Sequence, residues 1–78
     1  MAAHSVIAPM TGRVVEIPVR VGEFVDKGDM VLVIESMKME NEIFSEVAGT
    51  VTDIRVADDG TVSEGNTLMV IEVQAEAP

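Results

Sequence analysis

Cysteine is absent from this chain of 78 residues. That excludes disulfide bridges, thiolate chemistry and cysteine metal sites. Aromatic residues are nearly missing, with only Phe24 and Phe44. Branched aliphatics must therefore fill the interior, and twenty Val and Ile residues supply them and favour strands. Basic residues are scarce: five Lys and Arg stand against fourteen Asp and Glu, for a formal net charge of −9. Arg13, Arg20, Lys27, Lys38 and Arg55 are scattered along the chain. Nucleic acid is therefore not expected as a partner, because phosphate binding needs clustered positive charge. The acid excess serves either solubility or docking with a basic partner. Long apolar runs are lacking too; the longest, residues 30–34, is far too short to span a bilayer. The opening Met1-Ala2-Ala3-His4 shows no charged-then-apolar secretory pattern. These features together read as a soluble, cytoplasmic protein without membrane insertion. His4 is the only histidine, and the acids have no spacing that dictates a metal site. The length allows one small domain near the lower limit for a self-sufficient core. Residues 1–4 and 74–78 are expected as flexible tails around a domain over 5–73.

An internal repeat organises what is present. Shifted by 37 positions, residues 11–35 overlay 48–72 without gaps, and nine of the 25 pairs are identical. Among them are Gly12/Gly49, Val14/Val51, Val25/Val62, Gly28/Gly65, Ile34/Ile71 and Glu35/Glu72. Two half-units that each leave an apolar face open can close on one another about a rough two-fold axis. Short strands are predicted over 4–8, 12–17, 24–25, 29–36, 39–45, 49–54, 61–62 and 66–73, with glycine turns between them. Residues 31–34 and 68–71 do not alternate in polarity, which fits strands covered on both faces or short buried strands. No segment carries a sustained helical period. The expected fold is all-β: a flattened antiparallel barrel or sandwich of eight short strands with internal pseudo-two-fold symmetry.

The departures from symmetry point to function. Lys27 corresponds to Glu64, so the scaffold does not require a lysine there. Residues 36–42 join the halves and have no duplicate within the repeat. Between two predicted strands, Met37-Lys38 must close a two-residue hairpin. Such turns favour positive φ and therefore Asn-Gly or Asp-Gly. Met-Lys breaks that rule, and a broken local rule at a tip marks a candidate functional site. In this register Glu35 faces Glu40. Glu35 repeats as Glu72 and belongs to the scaffold, whereas Glu40 is a candidate recognition residue, as is Ser36. Met37 and Met39 either flank the lysine at the surface or are buried by alternation. Met10, Met30 and Met69 read as core filler. Nothing near Lys38 would activate it as a nucleophile, which requires desolvation or a cationic neighbour. It reads as the substrate of another enzyme that brings the base and an activated acyl donor.

Ser36-Met37-Lys38-Met39 resembles the Ala-Met-Lys-Met hallmark of the biotinyl, or biotin carboxyl carrier, domain family. Ala8-Pro9-Met10-Thr11-Gly12 resembles that family's Pro-Met-Pro-Gly segment, with Thr11 where proline is usual. The resemblance spans roughly residues 5–73 and includes the internal repeat. It implies a non-catalytic carrier of an acyl-CoA carboxylase or a related carboxylase, transcarboxylase or decarboxylase. In that family a biotin protein ligase joins biotin to the lysine, here Lys38. A biotin carboxylase then loads a carboxyl group, and a carboxyltransferase passes it to the acceptor. The protein positions biotin while biotin does the chemistry. The lysine and biotin chains sum to a tether of roughly 15 Å. Ser36 replaces the usual alanine, and both are small. The loop over 20–24 is too short for the protruding thumb of bacterial acetyl-CoA carboxylase carriers. The acceptor substrate is not written in these residues.

Three other readings compete. Asp26-Lys27-Gly28 superficially resembles the Asp-Lys-Ala tip of a lipoyl domain, but it lies inside the repeat. An unmodified docking barrel would leave Lys38 bare. A free-standing enzyme finds no support in the lone His4.

Overall fold

A computed structural model describes residues 2–73. Among them are eight strands: β1 (Ala2–Ile7), β2 (Gly12–Glu16), β3 (Phe24–Val25), β4 (Met30–Ser36), β5 (Met39–Phe44), β6 (Gly49–Ile54), β7 (Thr61–Val62) and β8 (Thr67–Val73). Each lies within two residues of its sequence expectation at either end. β1 differs most. Ala2 and Ala3, expected as a tail, pair with Val73 and Glu72, and His4, placed at the junction of tail and first strand, pairs with Ile71. The edge of β8 supplies a ladder that the short Ala2-Ala3 sequence, with no β-branched residue, does not announce. The second expected tail, 74–78, lies outside the described residues.

The strands form two antiparallel four-stranded sheets, ordered β1-β8-β6-β3 and β5-β4-β2-β7. The 37-residue shift turns β2 into β6, β3 into β7 and β4 into β8. With β5 in the place of β1, one sheet order becomes the other. The pseudo-two-fold read from the sequence therefore relates the two layers.

Their inner faces make the core. Val14 and Val51, Val25 and Val62, Val31 and Leu68, Leu32 and Met69, and Ile34 and Ile71 are repeat partners, and all are buried. Burying one such side chain stabilises by about 1.5–3 kcal/mol, while ordering one residue's backbone costs about 1–2 kcal/mol. So small a domain needs every core position filled. Both phenylalanines are about half exposed, and the aliphatics carry the interior alone. Met69 is buried and Met10 packs against the core, while Met30 is half-buried outside the core cluster.

The non-alternating runs have a local cause. The β4–β5 register skips Val31, and the β8–β1 register skips its repeat partner Leu68. A bulge there re-aims one side chain, so Val31 and Leu32 both reach the core, as do Leu68 and Met69. A second bulge pair falls at Val15 and Thr52, again repeat partners. Val33 stands on the outer face yet is buried. Its cross-strand neighbours are Glu16 and Glu42, both exposed, and side chains of that length can bury their stems over an apolar neighbour. Val70, its repeat partner, lies between Asp53 and Ser5, and these shorter chains leave it only half-buried.

The hairpin turn and the paired residues Ala2 and Val73 lie at opposite ends of the molecule. Within β4–β5, Ser36 faces Met39 at the turn and Met30 faces Phe44 at the far end. Beyond Phe44 the chain reaches Gly49, which opposes Val73, and Val73 opposes Ala2. Among the described residues no helix is long and apolar enough to cross a membrane, and no group of three potential metal ligands comes together. His4 is half-buried in β1, with Nε2 3.9 Å from Glu46 Oε1 at the end far from Lys38.

Candidate functional site

The turn between β4 and β5 is the two-residue hairpin that the sequence predicts. Ser36 and Met39 are its closing pair, and Glu35 opposes Glu40 next to them. Met37 has φ 54° and Lys38 has φ 65°. Both are in the left-handed region, as a type I′ turn requires. For a non-glycine residue that conformation costs about 1–3 kcal/mol, held here by the ladder on either side.

The turn pushes its side chains into solvent. Met37 is 92% exposed and Met39 66% exposed, which rules out the alternative that they are buried by alternation. Lys38 and Glu40 are exposed and Ser36 is half-buried. Lys27, the rival lysine, occupies a turn in which the Asp26 N–H donates to Asp29 Oδ2 at 2.8 Å. That turn is duplicated by Ser63 N–H donating to Asn66 Oδ1 at 2.8 Å. It adjoins Ser45, at the end away from Lys38.

Arg13 resolves the like-charge pair Glu35 and Glu40. It faces Glu35 across β2–β4. Its Nη2 donates to Glu35 Oε1 at 3.1 Å and its Nη1 to Asp59 Oδ1 at 2.9 Å. Those contacts, first the hydrogen bond and charge of Glu35 and then Asp59, push the guanidinium further above its already high pKa. Such a raised value adds stability below the unfolded pKa and loses it only in strong alkali, so the network holds across the neutral range. Glu35 is thus committed to Arg13. Among the described residues no carboxylate pairs with Lys38. The network belongs to this end alone, since the repeat replaces Arg13 with Thr50 and Asp59 with Gly22. Sequence reasoning missed it, although those two asymmetric pairs were the available signal.

Asn41 was missed as well. Its Nδ2 donates to the carbonyl of Met39 at 3.1 Å and, more weakly, to that of Ile34 at 3.4 Å, bracing the start of β5. With Met10, Ser36, Met37 and Met39 it lines an open, mainly apolar cleft of about 280 Å³ beside the lysine. A larger open groove of about 540 Å³ runs along 55–57, 60–62 and 66–67 and contains none of the candidate residues.

Chemically, the arrangement offers an exposed primary amine on a rigid tip. No described side chain is placed to take its proton or to hold a reacting acyl group. A pseudo-symmetric β-sandwich whose one unduplicated hairpin presents a lysine is a scaffold for carrying an attached group. Comparison with known proteins makes this particular. Residues 4–71 match the biotin/lipoyl family, described as "Biotin-requiring enzyme". The chain is 41% identical over 70 residues to a biotin carboxyl carrier protein of Streptococcus mutans, covering 90% of this chain and 54% of that protein. It spans about half the length of that relative. Identity is 35% over 69 residues to a biotinylated protein TB7.3 homolog of Mycobacterium leprae, with 88% of this chain and 97% of the relative covered. The crystal structure of Kluyveromyces lactis urea carboxylase superposes with a TM-score of 0.86 at 30% identity, covering 92% of this chain and 6% of that one. The chain belongs to the biotin/lipoyl attachment family.

Proposed function

We propose that Lys38 is the attachment residue for biotin and that the chain is the carrier component of a biotin-dependent carboxylase system. One observation carries this reading: a tight turn outside the repeat presents Lys38 between two exposed methionines, with no carboxylate paired to it among the described residues. The site fits the group, with an open amine and an apolar cleft next to it. In the attachment step Nζ of Lys38 attacks the carbonyl carbon of an activated biotinyl donor. An amide forms, the nucleotide leaving group departs, and the proton goes to a base that the ligase supplies. Met37 and Met39 give the ligase a polarizable apolar surface, while Ser36 and Glu40 offer polar contacts at its rim. Once attached, biotin supplies a ureido nitrogen able to hold a carboxyl group. The barrel over residues 5–73 supplies position and no catalytic residue. Biotin carboxylase and carboxyltransferase sites are the partners of this reading, supported by the acyl-coenzyme A, propionyl-CoA and pyruvate carboxylases among its relatives. A cytoplasmic setting, where an ATP-dependent partner would work, is part of the same proposal.

Co-expression with a biotin ligase, followed by intact mass and peptide mapping, tests it. One biotin on Lys38 is expected. Lys38→Arg should melt at the same temperature as the parent and stay unmodified, because a guanidinium does not accept the acyl group. An unmodified Lys38 beside an active ligase, or a biotinylated Lys38→Arg protein, would overturn the proposal.

A further inference from the structure

We infer that the cleft formed by Met10, Met37, Met39 and Asn41 is a resting seat for the biotinyl head attached to Lys38, into which the arm folds back between transfers. The inference rests on Lys38 being biotinylated. Three observations carry it. The cleft adjoins the attachment point, so a tether of roughly 15 Å reaches it with length to spare. Its volume, about 280 Å³, falls just under the range of about 300–1,000 Å³ usual for small-molecule sites. That suits a fused ring pair rather than a nucleotide. Its walls match the head group on both chemical sides. Three methionine thioethers offer soft, adaptable apolar contact for the sulfur-containing ring.

Asn41 supplies the polar half. Its orientation is fixed, because only the NH2 end can donate to the two carbonyls of Ile34 and Met39. Oδ1 is thereby the end left over, and among the described residues no donor reaches it. A ureido ring carries N–H donors that such an acceptor satisfies. In the seat a ureido N–H donates to Asn41 Oδ1 while the ring lies across Met10. Because Met10 packs against the core, it is the fixed wall, and Met37 and Met39 are the adjustable ones. The cleft is open, so the seat is a shallow minimum that the arm leaves readily when a partner site competes for it.

Nuclear magnetic resonance of the wild-type protein with and without biotin decides the matter, once intact mass has shown full loading on Lys38. Met10 is 28 positions from Lys38 in the sequence, so a covalent neighbour effect does not reach it through the chain. Expected are a shifted Met10 ε-methyl resonance, a shifted Asn41 side-chain amide, and Overhauser contacts from the biotin rings to the Met10 methyl. Met10→Gln should abolish the biotin-dependent shift of the Asn41 side-chain amide and quicken capture by streptavidin. With the arm seated half of the time, capture would become about twofold faster. If Met10→Gln fails to fold, the wild-type contacts still decide. Loaded protein whose changes stop at residues 37–39 would overturn the seat while leaving the carrier reading intact. Protein that takes no biotin would remove the carrier reading and the seat together.

Discussion

Met37 and Lys38 are held in a backbone conformation that neither side chain favours. The ladder of β4 and β5 imposes it, and the result is an exposed lysine to which no acid is attached among the described residues. Arg13 contributes by engaging Glu35. Strain at this tip gives a direct prediction. Asparagine tolerates positive φ and suits the first position of this turn. Met37→Asn should therefore raise stability by up to about 1 kcal/mol, read as a higher midpoint in urea. The same change should slow biotin loading by the ligase, because an apolar contact at the tip is lost. A variant that is stabilised and loads at the parental rate would show that Met37 is not read by the ligase. Lys38 itself was legible in the sequence because the repeat isolates it. Met10, Asn41, Arg13 and Asp59 were not, since what they do depends on distances across strands that spacing along the chain does not encode.

At the level of strands, Gly12 and Gly49 show how closely neighbouring strands approach within each duplicated half. A β-carbon on Gly12 would overlap the Glu35 carbonyl oxygen and stand 2.6 Å from Ile34 Cγ2. One on Gly49 would meet Glu72 and Ile71, the repeat partners of those residues. Both glycines start strands that cross closely over the most buried part of a neighbour. Gly12→Ala and Gly49→Ala should each cost about 1–3 kcal/mol through forced backbone shifts. Chemical denaturation measures both, and similar losses are expected at the two sites. Gly12→Ala should in addition perturb the hairpin resonances, because Glu35 leads directly into Ser36. Strand positions were readable because glycine turns bracket them. The bulges were visible only indirectly, as runs that refuse to alternate. Which residue drops out of register depends on the partner strand, and pairing is not written locally. The pairing of Ala2 and Ala3 escaped for the same reason: a segment of small residues becomes a strand when an edge is waiting for it.

Taken whole, the molecule has two equivalent gaps between strands, and only one of them is a covalent turn. Val73 faces Ala2 as Ser36 faces Met39. A two-residue Asn-Gly link from Val73 to Ala2 should therefore close the chain without strain. New ends can be opened between the exposed Arg20 and Val21, since exposed loop tips tolerate such cuts. The permuted protein is expected to keep its far-ultraviolet circular dichroism and to accept one biotin on Lys38, read by mass. Loss of folding would mean that the two gaps differ in a way the register does not reveal. The symmetric scaffold was the part of this molecule most legible in the sequence, because one gapless shift aligns 25 residues of one half with 25 of the other. The separation of the turn from Ala2 and Val73 has a mechanical consequence. Ala2 and Val73 sit at the pole opposite Lys38. The barrel then works as a stiff boom: β4 alone, seven residues at about 3.3 Å each, adds over 20 Å. The flexible arm is its jib. Reach is divided between a part that cannot bend and a part that can, and the moving load is kept clear of its mooring.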